Sequence, residues 1–109
     1  MSAPRAPGVQ ALLELDRVVH EPARLAILTV LAAAEEVEFK FLETAIGLTR
    51  GNLSSHVSKL EAARYLTVRK AFRDRMPVTS YRISPEGRRA LEAYRRCMVD
   101  GLVRPARTS

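Results

Sequence analysis

Leu48-Thr49-Arg50-Gly51-Asn52-Leu53-Ser54-Ser55-His56-Val57-Ser58-Lys59-Leu60-Glu61 reads as a capped helix with two very different sides. Leu53, Val57 and Leu60 recur at i, i+4 and i+7, so one stripe must sit on a core. At about 100° per residue, the opposite face holds Gly51, Ser55, Ser58, Lys59 and Ala62, with Asn52 and Ser54 on its flanks. That face is slim, rich in hydrogen-bonding groups and nearly free of acids. Serine is a mediocre helix former, so three in two turns are out of keeping with a plain solvated helix. A helix of this kind can lie in the major groove of a duplex and reach base edges.

The surroundings of that helix agree with it. The 109 residues suffice for one domain with one modest core. Their net charge is +6, and its distribution says more than its total. Residues 1–48 hold four basic side chains against seven acids, and residues 49–109 hold fourteen against five. The basic half begins where the helix begins, which points to a polyanionic partner. Cys97 is the only cysteine, so neither an internal disulfide nor a cysteine-pair zinc site is available. His20 and His56 lack ligand partners at metal-binding spacing, and neither metal nor cofactor is expected. No carboxylate pair, phosphate-cradling glycine loop or nucleophile–base arrangement is legible, so an enzyme is not expected. No secretory signal or spanning apolar run is visible, which leads to the expectation of a cytoplasmic protein without membrane partners.

Along the chain, residues 1–8 read as a flexible arm rich in proline and alanine. Leu12, Leu13, Leu15, Val18 and Val19 give a first helix over 9–20. Pro22 suits the first turn of a second helix, which Leu25, Ile27, Leu28, Val30 and Leu31 make the central one. Phe39, Leu42 and Ile46 mark a short helix ended by Gly47 in a left-handed cap. Thr49 then caps the next helix, which spans about 50–63. A short helix, a glycine turn and a second helix make a helix-turn-helix. Alternation follows in Leu66-Thr67-Val68-Arg69-Lys70-Ala71-Phe72 and in Ser80-Tyr81-Arg82-Ile83. These runs predict a β-hairpin over about 66–83 with a basic tip, Asp74 taking a positive φ. Ser84 and Pro85 open a last helix over about 85–102. Residues 104–109 read as a flexible tail, and residues 9–103 as a single domain.

This order is that of a mainly helical α+β module, a winged helix-turn-helix with flanking N- and C-terminal helices that serve dimerisation. The segment from Leu15 to Arg96 resembles winged-helix regulators of the MarR/ArsR superfamily, in particular their small stand-alone group. The matching residues are Pro22-Ala23-Arg24-Leu25-Ala26-Ile27-Leu28, Gly47-Leu48-Thr49 and Gly51-Asn52-Leu53-Ser54-Ser55-His56-Val57. Lys59-Leu60-Glu61, Tyr81-Arg82-Ile83-Ser84-Pro85-Glu86-Gly87-Arg88 and Ala90-Leu91 continue the match, over roughly three quarters of the chain. The resemblance implies a homodimer that binds duplex DNA and regulates transcription. The chain departs from similar sequences at the wing tip: Asp74-Arg75 stands where Gly-Arg is common, and a carboxylate there opposes deep insertion into the minor groove.

Arg50, Asn52, Ser54, Ser55, Ser58 and Lys59 are therefore the candidate contacts from the helix. Ser and Asn suit base edges, while Lys59 suits a phosphate. Arg69, Lys70, Arg73 and Arg75 are the candidate wing contacts, with only Asp74 nearby in sequence to oppose them. Leu91, Tyr94, Met98 and Leu102 are expected to pack with Leu12 and Leu13, partly across a two-fold axis. Two reading helices would then meet major grooves about 34 Å apart, on a pseudo-palindromic operator. Repression by blocking polymerase needs nothing more. A small-molecule effector would need a pocket between dimer helices and core, and the sequence carries no signature for one. Two other functions fit the same fold, a protein-interaction module and a sequence-indifferent architectural protein. The small, basic, acid-poor face counts against the first, and its Ser/Asn content against the second.

Overall fold

The structure, a computed structural model, describes residues 7–103. They form helices α1 (Pro7–Ala11), α2 (Pro22–Ala33), α3 (Phe39–Ile46), α4 (Arg50–Ala62) and α5 (Pro85–Met98). The strands are β1 (Val37–Glu38), β2 (Leu66–Arg73) and β3 (Met76–Ile83), in the antiparallel order β1-β3-β2. The result is the mainly helical α+β winged arrangement expected. Residues 1–6 of the expected arm and the tail at 104–109 lie outside the described residues, whereas Pro7 and Gly8 already belong to α1.

Local chemistry explains most boundaries. Pro22 and Pro85 each sit in a first helical turn where no backbone donor is missed. Gly47 ends α3 at φ 77°, and the Thr49 hydroxyl accepts from Asn52 N–H at 3.2 Å to open α4. Glu21 caps α2 by accepting from Arg24 N–H at 2.8 Å. The core gathers α2 (Ile27, Leu28, Leu31), α4 (Leu53, Val57, Leu60), and Val19, Val37, Leu42, Leu66 and Tyr81. α5 closes it by packing Leu91 and Tyr94 against α2.

The expected first helix over 9–20 is not formed as one piece. α1 gives way to a 3-10 turn at Leu12–Glu14, and Leu15 is extended. The cause is Asp16, whose carboxylate accepts from Val18 N–H at 2.8 Å and Val19 N–H at 3.3 Å. Such a side-chain alternative competes directly with helix propagation. Leu15, Val18 and Val19 therefore lie in a loop rather than on a helical face, with Val19 wholly buried. The other oxygen of Asp16 receives the Tyr65 hydroxyl, tying this loop to the turn after α4.

Burial, together with that Asp16 carboxylate, pushes the Tyr65 hydroxyl up to about 12. The folded protein therefore holds a proton that the unfolded chain releases near pH 10. The stabilisation is complete below pH 10 and is lost as pH rises from 10 towards 12. Tyr65→Phe should flatten the decline of stability in that window, measured by denaturant melts from pH 9 to 12. An unchanged decline would show that other groups govern it.

The β2–β3 hairpin closes through Asp74 and Arg75 alone, with φ 51° and 68°. Positive φ at both central positions is the two-residue turn that matches strand twist. Asp tolerates that region; arginine is a costly occupant of a place that favours glycine. The register Arg73↔Met76 and Phe72↔Pro77 makes the second pair a non-hydrogen-bonded one, so Pro77 costs the ladder nothing. Strand β1 was not legible in the sequence. It pairs Val37 with Tyr81 and Glu38 with Ser80, which buries Val37 and turns Glu36 and Glu38 to the other side.

Candidate nucleic-acid interface

Helix α4 presents its two sides as the sequence reading expects. Leu53, Val57 and Leu60 are buried, while Arg50, Gly51, Asn52, Ser54, Ser55, Ser58 and Lys59 are all exposed. No acid lies in its first turn, and Glu61, near its end, is the one acid of the helix; Glu38, Glu61 and Asp74 all line the groove beside it. A Cβ added at Gly51 would meet nothing within 4 Å. The fold does not demand a glycine there, and its absence of a side chain leaves the helix thin on that side. Arg50 lies over the Phe39 ring, 5.9 Å from its centroid. That contact steers the guanidinium towards the start of α3.

His56 faces inward from the edge of this surface. Its Nδ1 is 3.2 Å from an Arg24 nitrogen and 3.6 Å from a Glu21 oxygen. Arginine can only donate, so in the Arg24–His56 hydrogen bond Nδ1 is the acceptor. Arg24 also donates to the Val18 carbonyl at 2.6 Å and the Arg17 carbonyl at 3.4 Å. One guanidinium thus locks α2, the preceding loop and α4 together. Burial opposes ionisation of Glu21, but backbone N–H donors at Arg24 and Ala23 outweigh it and hold the carboxyl below its usual range.

An open groove runs beside α4, bounded by Arg50 and Ser54 on one side and Lys70, Thr79 and Tyr81 on the other. By strand alternation, Lys70 shares the face of Val68 and Leu66 that looks to α4, and Arg69 and Arg73 share the other. There the picture differs from the sequence reading, in which Asp74 alone opposed the hairpin cations. Glu36 lies 3.5 Å from Arg69 and 3.1 Å from Arg82, and accepts from the Ser80 hydroxyl at 2.9 Å. Glu38 pairs with Arg73. Bonds from Ser80 and Arg82 hold the Glu36 carboxyl below its ordinary value, and the Arg73 bond does the same for Glu38. These acids are 33 to 46 residues away from their partners along the chain, and no local pattern announced them.

The residues expected at a dimer contact divide. Leu91 and Tyr94 are 2% and 7% exposed within the single chain, and the Tyr94 hydroxyl is 3.0 Å from His20 Nδ1. Within one chain they are buried in the core, where α5 covers α2. Met98 is half-buried against that core and Leu12 is half-buried. Leu13 and Leu102 remain 78% and 61% exposed. They lie on terminal segments that pack on one another, α1 with its 3-10 turn and the π-helical turn Val99–Val103 after α5. Cys97 is half-buried at the same end. Among the described residues no helix is long and apolar enough to cross a membrane, and no group of three or more His, Cys, Asp or Glu could hold a metal ion.

Comparison with known proteins adds independent findings. The model of a family described as a winged helix DNA-binding domain matches residues 23–101. An uncharacterized protein of Methanocaldococcus jannaschii is 31% identical over 78 residues, covering 72% of this chain and 85% of that one. A Pyrococcus horikoshii structure described as a transcriptional regulator homologue superimposes with a TM-score of 0.71. It is 28% identical, and the match covers 84% of this chain and 89% of that one. An ArsR family transcriptional regulator shares the fold at a TM-score of 0.55 and 20% identity, over 86% of this chain and 90% of that one.

Proposed function

The chain belongs to the winged helix DNA-binding domain family, and from that premise we propose a homodimeric, sequence-specific transcriptional regulator that represses by occupying its operator. The observation that carries this reading is the exposed face of α4, built from Gly51, Asn52, three serines, Arg50 and Lys59. These groups can donate to and accept from base edges in the major groove, and none repels phosphate. The description of the Pyrococcus horikoshii protein as a transcriptional regulator homologue supports the regulatory role.

Lys70 and Arg75 supply the wing's phosphate contacts in this reading. Arg75 is held at φ 68°, where a non-glycine residue is strained by about 1 kcal/mol or more. Its guanidinium at the hairpin tip gives that strain a use. Arg75→Gly should therefore leave stability equal or higher while weakening binding to all duplexes and lowering the salt slope by about one. Unchanged affinity in a stable Arg75→Gly protein would remove the tip from the interface. Exposed Val9, Leu13, Val99 and Leu102, all on the two terminal segments, provide an apolar surface for a second copy. Two α4 helices would then meet half-sites about one helical turn apart.

Selection from a random duplex library tests the reading, with sedimentation of the free protein to count chains. A paired, inverted motif and a two-chain particle are expected. Enrichment of no motif would favour an architectural role.

A further inference from the structure

Five cations line the hairpin, Arg69, Lys70, Arg73, Arg75 and Arg82, and the fold treats them unequally. The short β1 turns Glu36 and Glu38 towards the hairpin face that carries Arg69, Arg73 and Arg82. Glu36 serves two of these arginines and is itself anchored by the Ser80 hydroxyl; Glu38 serves the third. Among the described residues no carboxylate lies within ion-pair distance of Lys70 or Arg75. We propose that Glu36 and Glu38 are a built-in counter-charge that keeps Arg69, Arg73 and Arg82 from the phosphate backbone, and so sets the salt concentration at which the protein leaves DNA. The inference rests on the DNA-binding reading above.

A stabilising role for the pairs is the competing explanation, and magnitudes disfavour it. The three arginine side chains are 58–67% exposed, and ion pairs so exposed contribute little to stability. A phosphate contact, in contrast, changes the logarithmic salt slope by about 0.9 per cation. Ion pairs of little worth to the fold thus govern a quantity of large worth to binding. Bonds from Ser80 and Arg82 hold the Glu36 carboxyl below the ordinary glutamate range, as Arg73 does Glu38, so both carry their charge at neutral pH.

The test is a salt-series titration of one duplex with the native protein and with Glu36→Gln/Glu38→Gln, which keeps the hydrogen-bonding shape and removes the charge. The variant is expected to bind about tenfold more tightly at low salt, with a slope steeper by about three. Adding Arg73→Ala to the variant should cancel about one unit of that gain, whereas Arg73→Ala in the native background should leave the slope unchanged. Thermal melts confirm that all four proteins are folded. Weaker binding by the double glutamine variant would show that the acids position the arginines for contact, and an equal slope would show that they do nothing; either overturns the inference. Failure of the native protein to bind duplex at any salt would overturn the functional reading and this inference together, whereas a binding native protein with an indifferent variant overturns the inference alone.

Discussion

Gly87→Ala is expected to destabilise the protein by about 3 kcal/mol or more, the largest loss of stability predicted here. A Cβ at this position would stand 2.0 Å from the Tyr65 carbonyl oxygen and 2.9 Å from Ile83 Cγ1. The carbonyl cannot yield cheaply, because it accepts from Ser84 N–H at 3.0 Å. Ser84 is fixed in turn, its hydroxyl donating to the Arg64 carbonyl at 2.6 Å and accepting from Gly87 N–H at 2.9 Å. Relief must come from lifting α5, which carries Leu91 and Tyr94 out of the core. Denaturant melts check the effect, with Ser84→Ala as a milder companion costing about 1 kcal/mol. A Gly87→Ala protein as stable as the native one would mean that this corner is far looser than its contacts indicate.

Ser55→Glu should give the largest loss of function. The side chain is exposed on α4 and engaged in no contact that the fold needs, and glutamate is at least as good a helix former as serine. Stability should therefore be nearly unchanged. A carboxylate brought against base edges and phosphates costs several kcal/mol of like-charge repulsion and stranded desolvation, so affinity should fall by about a hundredfold or more. Fluorescence anisotropy on one duplex, beside a thermal melt, separates the two effects. Full affinity in the variant would take Ser55 and its face away from the DNA and favour a protein-interaction module.

The parts of this molecule that were readable in advance are those governed by neighbours in sequence. Gly47, Thr49, Ser84 and Pro85 mark helix ends because caps are settled within four residues. The division of α4 into buried and exposed sides follows from a period that three apolar residues suffice to set. The loop at Leu15–His20 was misread because Asp16 can satisfy two backbone donors with its side chain, an option invisible to a count of apolar spacings. Strand β1 has two residues, too few to display a period. Glu36 and Glu38 meet their arginines only because β1 lies beside β3, and the burial of Leu91 and Tyr94 beside α2 was not legible because periodicity names a buried face without naming what buries it. Pairings across the fold, rather than local preferences, decide those cases.

Sequence-specific duplex binding by the α4 face is decided by titrating the purified protein against its selected duplex and a scrambled duplex of equal length across a salt series. A clear preference for the selected duplex at physiological salt, saturating at two chains per site, is expected, while binding to the scrambled duplex fades steeply as salt rises. Equal affinity for the two duplexes at every salt concentration, or no binding to either at the lowest, would contradict it.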